Sequence, residues 1–492
     1  MIEVRHISNR NIIKRIIIRG KLILNTPTCL GSGDADSPLD LALLRDSTSN
    51  HALLTGSSIA GALRNYLREY DRGYNFKDNR NDIATKLFGD LFAYKNEEQL
   101  SENEKIQLRE KDNQSLLIID DAVSTTAIQA EIRDGVKIDS ITNTAANKAK
   151  YDLELLEAGT EFNLNFELLI EQNTEEDKLI KALAIALNGL EAKENSISSK
   201  MRLGIKKYRG FGCCHVEKWQ VWQFDLRDYE QRIQWLNFPH WESGFLNDTH
   251  NNIAEALGVS LDWEDKRQHI TITAIFTLAS PLLIRSGQAS TDKAPDVVHL
   301  KSRRNGNLKS ILSGTSLAGV LRHRAKRIVN TIGVNINIVS DIFGFVGENT
   351  KKAKASRLIV DEVEINNTTD LVQNRIAIDR FTGGALHGAL FNEQPIFGND
   401  ETSLVIKLEL RQPKHYEIGL LLLLLKDLWT GDLPVGGTSS IGRGRLQGKR
   451  ATIEFGERNW VIEQKSVNEP LIIDNAEDLE TFVAALHQEV TA

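Results

Sequence analysis

Two stretches of this 492-residue chain place hydroxyls, glycines and arginine where an anion could be held. Gly56-Ser57-Ser58-Ile59-Ala60-Gly61-Ala62-Leu63-Arg64 is matched, without a gap, by Gly314-Thr315-Ser316-Leu317-Ala318-Gly319-Val320-Leu321-Arg322, with Arg324 following. A Gly-Ser-Ser start before an Ala-rich apolar run predicts a helix N-terminus, its first-turn amides capped by Ser58 or Ser316. Free amides and the positive end of the helix dipole suit a phosphate, and Arg64, Arg322 and Arg324 add full charges. The same residues also suit an ordinary capped helix laid on a sheet through Ile59, Leu63 and Leu67. Two copies with arginine in register favour phosphate.

A second doubled feature closes each copy. Gly204, Gly210 and Gly212 align with Gly436, Gly442 and Gly444, and Lys206, Lys207, Arg209, Arg443 and Arg445 stand among them. Glycines let a backbone approach a phosphate and present consecutive N–H groups as a nest; a tight structural turn is the alternative. No His-Glu-x-x-His, Walker loop or dinucleotide fingerprint competes. Among the 11 histidines, His299 and His323 lie near the loop and helix start of the second copy and could contact a bound ligand.

The elements that must position these residues are also doubled, which makes the protein one fold used twice. Residues 13–24 and 268–279 read as strands, each leading through a polar loop to its helix. Leu87-Phe88-Gly89 and Ile342-Phe343-Gly344 end the helical segments. Strands resume at residues 115–121 and 356–362, and hairpin-like segments follow at 133–152 and 375–398. A strand and helix come next, at 159–170 and 175–190 in one copy and 402–411 and 416–429 in the other. That order predicts an α+β architecture of two ferredoxin-like (RRM-like) domains in tandem, each with a β-hairpin arm and a glycine-rich loop. The predicted bounds are 1–218 and 267–456, with an aromatic connector over 219–266 and an acidic tail over 457–492. The insertion at 93–114, nearly all charged or amide residues, reads as a surface loop.

The formal charge of −7 hides its distribution: residues 301–330 hold eight Lys or Arg and no acid. Basic loops on an acidic body are the result. Three cysteines form neither a disulfide framework nor a zinc site, which fits a reducing cytoplasm. The apolar run 418–425 is too short to cross a bilayer and predicts a buried helix, so no membrane role is expected.

The two Gly-Ser/Thr-Ser helix starts, Leu/Ile-Phe-Gly followed by Ser-x-Leu-Ile-Ile/Val-Asp, and the closing glycine loops together resemble the RAMP superfamily of CRISPR systems. The likeness spans most of 13–216 and 268–450. It is nearest to the backbone subunits of type III effector complexes, here with two domains fused, as in a type III-D-like complex. The resemblance implies a subunit that holds a CRISPR guide RNA, inserts its hairpins as thumbs between guide and target RNA, and sits among a large polymerase/nuclease-like subunit and further backbone and small subunits. RNA contacts would fall on Ser57, Ser58, Arg64, Lys137, Lys206, Lys207, Arg209, Gly210, Gly212, Thr315, Ser316, Arg322, Arg324, Arg380, Arg443 and Arg445.

It also implies that an aspartate in the loop before each helix cleaves target RNA with a divalent metal, Mg²⁺ by preference. Asp40 and Asp296 are the first candidates for base and metal ligand, with Asp36 and Asp292 beside them. Two alternatives remain at this stage. One is an architectural subunit that binds guide without cutting. The other is a CRISPR RNA processing endoribonuclease, for which Tyr208 and His215 near the first glycine loop are the weak candidates for a base.

Overall fold

A computed structural model describes residues 10–490 apart from 34–40, 92–98, 110–111, 140–141, 143, 193–200, 243–247, 287–294, 305 and 348–352. In the first half, the strand Ile12–Leu24 is central because Ile16, Ile18, Leu22 and Leu24 all point into the core. It pairs antiparallel with Glu161–Glu171 on one side and Cys214–Asp225 on the other. Leu117–Ile119 and Ala122–Ala127 pair with the far side of Glu161–Glu171, and His51–Leu54 lies beyond them. The helices Gly56–Arg72 and Glu176–Asn188 share this core through Ile59, Leu63, Leu67, Leu179, Leu183 and Leu187.

The second half repeats the plan. His269–Leu278 is central, between Ile396–Arg411 and Leu446–Phe455; Leu358–Val360 and Val363–Asp370 lie outside Ile396–Arg411. Its helices are Gly314–Ile332 and His415–Trp429. The run 418–425 is the middle of the latter and is buried, covered by a further helix, Ala476–Gln488, through Leu479, Phe482 and Leu486. A Cβ on Gly419 would overlap the Phe482 carbonyl oxygen, so the two helices meet backbone to backbone there. No helix among the described residues is long and apolar enough to cross a membrane.

Several bounds differ from the sequence-based expectation. Trp219 and Trp222 belong to the first sheet, since Cys214–Asp225 runs unbroken through residue 218. Trp219 is fully buried and fills the space that Gly20 leaves on the neighbouring strand. Beyond it, Arg19 lies over the rings of Trp222 and Phe238, and Arg15 lies over Trp235 at 4.4 Å. The tail is part of the second sheet, through Arg458–Glu463 and Ile472–Ile473. The insertion at 93–114 contains a helix, Glu102–Arg109, with no buried residue. Its start is a capping box that the charge count hid: Ser101 N–H and hydroxyl both donate to Glu104 Oε2, at 2.9 and 2.7 Å.

Two antiparallel hairpins stand between the second and third sheet strands of each half: Ala130–Ile138 with Ala145–Leu156, and Gln373–Ile378 with Ala385–Gln394. In the second, the return strand ends at Gln394, and residues 396–398 already belong to the sheet.

Candidate nucleic-acid interface

Both helix starts are built alike, one turn earlier than the sequence indicated. The caps are Thr55 and Ser313, whose side chains accept from the N–H groups of Ser58 and Ser316 at 3.3 Å. Ser58 and Ser316 are therefore released from capping. Each start carries a cluster of three hydroxyls, Thr55/Ser57/Ser58 and Ser313/Thr315/Ser316. In the first copy Asp121 Oδ1 also accepts the Gly56 N–H at 2.7 Å.

The glycine loops also share one geometry. Lys206 and Thr438 are left-handed (φ 55° and 59°), one 3-10 turn follows each, and Gly210 and Gly442 close the turns at φ 90° and 86°. A Cβ on Gly212 or Gly444 would overlap the carbonyl oxygen of Leu203 or Val435. Those two glycines are required by the loop itself.

Between the first helix start and its glycine loop lies a pocket of about 340 Å³. Ser58, Gly61 and Asn65 line it from one helix face, Arg202, Gly204 and Lys207 from the loop. Lys207 is half-buried; burial pushes its ammonium pKa down, and nearby Arg411 adds to this. Such a cation gains from an incoming anion. Gly61 is exposed and a Cβ there would meet nothing, and the same holds at Gly319. Glycine inside a helix costs roughly 1 kcal/mol relative to alanine, and nothing among the described residues requires it at either site. Each glycine leaves an open patch on the exposed face of its helix. Gly61→Ala and Gly319→Ala should each raise unfolding free energy by about 0.5–1 kcal/mol while weakening RNA binding. Urea melts and filter binding on the same preparations check both halves of this expectation.

The structure divides the expected RNA-contacting residues. Arg64 is buried and donates to the Gly89 carbonyl (2.7 Å) and Thr85 Oγ1 (3.0 Å), with Asp78 alongside, so it locks its own domain together. Arg324 is paired with Asp427 at 2.6 Å. Arg443 is buried on Glu393 (2.9 Å) and Gln373 (2.7 Å) and fixes the second hairpin to the loop. Arg209 donates into the second domain, to the carbonyls of Phe343 and Leu358, each at 3.3 Å. Gly210 packs on the Glu362 backbone, and Gly212 is buried in its own loop. Lys206 lies 3.6 Å from the centre of the Tyr151 ring on the first hairpin. Ser57, Ser58, Lys137, Arg322, Arg380 and Arg445 are exposed; Thr315 and Ser316 are half-buried at the second helix start. No carboxylate pairs with Arg322 among the described residues, and its charge helps push the Arg209 pKa down, second to burial.

Asp36, Asp40 and Asp292 lie outside the described residues. Strand register nevertheless relates the two loops. Leu41 bridges Leu153 in parallel, and Val297 pairs in parallel with Glu393, at the same position along the equivalent hairpin. In sequence Asp40 and Asp296 each precede that pairing residue. Asp296 is exposed, and its Oδ2 accepts the Asn392 N–H at 2.8 Å. Among the described residues no three His, Cys, Asp or Glu side chains gather to hold a metal.

His299 does not reach the surface. Its Nδ1 accepts the Ile284 N–H at 3.2 Å and its ring is buried. Burial pushes its pKa down to about 4. The unfolded chain then binds a proton that the fold refuses, so stability is full above about pH 6.5 and falls as pH drops towards 4. The loss should approach about 3 kcal/mol. His299→Asn keeps an acceptor and removes the titration, so its unfolding free energy should fall less over that interval.

Sequence reasoning missed the joint between the halves. Glu362 is wholly buried and binds Arg133 (3.0 Å) and Arg304; Arg133 also meets Glu131 (2.7 Å), which accepts the Ser302 hydroxyl (2.8 Å). Glu131 and Arg133, two apart on one strand face, were the available signal. Opposite charges at that spacing on a buried face need partners from elsewhere.

The family model of the RAMP superfamily matches residues 21–215 and 275–447, well over half of the chain. The chain belongs to that superfamily and carries two RAMP domains in tandem. That membership makes it a CRISPR-associated RNA-binding protein. No curated protein matches the chain.

Proposed function

We propose that the chain is a backbone subunit of a type III CRISPR effector, holding guide RNA along two equivalent grooves and cutting the paired target RNA beside each. The observation that carries this reading is the matched pair of helix starts, each with a three-hydroxyl cluster and an exposed glycine and each followed in its domain by a glycine loop of the same conformation. The strand order supports a ferredoxin-like fold for each domain: the first strand lies between the third and fourth core strands, and the second lies on the far side of the third. The two hairpins act as thumbs: the second presents Ile376, Ile378, Leu386, Leu390 and a fully exposed Phe381 near its tip. Apolar groups of that kind part stacked bases. The protein reads backbone and shape, and base pairing reads sequence.

Asp40 and Asp296 would hold a divalent ion, which supplies charge stabilisation at the phosphate when bound. The chain's own part is to present a carboxylate beside the groove. It takes the proton from the target's 2′-hydroxyl as that oxygen attacks the adjacent phosphate; the bond from phosphorus to the 5′ oxygen breaks, that oxygen leaves with a proton from water, and a 2′,3′-cyclic phosphate remains. The experiment is target cleavage by the reconstituted ribonucleoprotein. Asp40→Ala and Asp296→Ala should each erase one cut; undiminished cutting at every position in the double variant would overturn the reading. A second reading has support at Asp296 alone, whose tie to Asn392 fits a loop strut. In that case Asp296→Ala changes no product and Asp40→Ala still does.

A further inference from the structure

The joint between the two domains is a template for a second joint that this chain leaves open. In the template, the turn Lys207–Arg209 of the first domain seats on the helix start of the second. A Cβ on Gly314 would overlap the Arg209 carbonyl oxygen, and one on Gly210 would overlap the Glu362 amide nitrogen. Arg202 pairs with Asp361 at 2.5 Å, and Arg209 reaches Phe343 and Leu358. Under this cover Ile359 is 3% exposed and Val360 fully buried.

The first domain presents the same face with nothing on it among the described residues. Gly56, Ile118, Ile119, Asp120 and Asp121 correspond to Gly314, Ile359, Val360, Asp361 and Glu362. Ile118 is 43% exposed where Ile359 is covered. The acidic pair is kept, yet Asp120 meets the Asn165 amide (2.5 Å) and Asp121 the Gly56 N–H (2.7 Å), and neither forms an ion pair among the described residues. The second domain's turn Ser439–Ile441 has the matching backbone and is exposed. A Cβ on Gly442 meets nothing, where Gly210 touches the neighbouring domain. That free turn lacks the cations: Pro434 stands at the position of Arg202, and Ile441, 51% exposed, at that of Arg209.

We propose that the Gly56/Ile118/Asp120/Asp121 face docks the glycine-loop turn of a RAMP domain on a different chain, one with arginines at the positions of Arg202 and Arg209. A second copy of this chain does not fit, because its free turn brings Pro434 to Asp120, where the template has the Arg202–Asp361 pair, and Ile441 to the place where Arg209 reaches backbone carbonyls. A head-to-tail contact between identical copies would propagate without closing; the missing arginines prevent that here. The inference rests on the internal repeat and on family membership, and stands apart from the reading of RNA cleavage.

The test uses the full chain alone, followed by light scattering over a concentration series. Wild type is expected to stay monomeric. Pro434→Arg with Ile441→Arg, which gives the free turn the template's cations, should at least double the apparent mass as concentration rises. Adding Ile118→Glu and Asp120→Lys to that variant should restore the monomer. A wild-type oligomer that Ile118→Glu dissociates would overturn the exclusion of self-docking. A Pro434→Arg/Ile441→Arg protein with a wild-type melting curve that stays monomeric throughout would overturn the docking face itself.

Discussion

Replacing Glu362 with alanine is expected to lower the unfolding free energy by about 3–5 kcal/mol, because it leaves two guanidinium groups in the interface, Arg133 with Glu131 alone and Arg304 with only the more exposed Glu364 at 3.6 Å. The side chains of Glu362, Arg133 and Arg304 are 1%, 5% and 8% exposed. Burial alone would raise the Glu362 pKa, but Arg133 and Arg304 outweigh it and hold it below the usual carboxylate range. Its stabilising contribution is therefore present above the unfolded carboxylate pKa and is lost as pH falls through the lowered folded value. Arg133 sits on the first domain's hairpin and Glu362 on the second domain's sheet, so the loss falls on their connection. Wild type should unfold in one urea transition and Glu362→Ala in two, the earlier one reporting separation of the domains. Glu362→Gln keeps the shape without the charge and should lie nearer alanine than wild type. A single transition with an unchanged midpoint would show that the ion cluster does not join the domains.

The second large effect is on cleavage. General-base assistance is worth roughly 10²–10⁴-fold, so Asp40→Ala in the assembled ribonucleoprotein should slow its cut by about that factor while guide RNA remains bound. Retention of the guide is the discriminating readout, since the groove's cations and glycines are untouched by the substitution. A variant that lost guide and cutting together would point to a structural loop. Asp296→Ala should act at one product position only. Its carboxylate keeps an oxygen free of the Asn392 N–H, and Asp296→Asn would preserve the loop contact while removing the base.

Much of the architecture could be read from the sequence because it is written twice. The order of strands and helices, the two glycine loops and the buried 418–425 helix follow from patterns that recur in register. What could not be read is where each arginine points. Arg64 and Arg322 occupy the same place in the repeat, yet Arg64 turns inward to Asp78, Thr85 and Gly89 while Arg322 stays exposed. Arg324 and Arg443 are settled by Asp427 and Glu393, acids that only folding brings near. Lys207–Arg209 and Ser439–Ile441 look equivalent in sequence, yet one is enclosed in the joint and the other faces outward. Charge in a repeat marks a conserved geometry of the backbone, and the partner across the fold decides whether the side chain binds RNA or another element.

That each domain grips RNA between its helix start and its glycine loop is tested most directly by photo-crosslinking the full chain to a CRISPR guide RNA and mapping the modified residues by mass spectrometry. Crosslinks should cluster in two equivalent sets, around Ser58, Asn65 and Lys207 and around Ser316, Arg322 and His323. Crosslinks confined to the 219–266 connector, or to one domain alone, would contradict it.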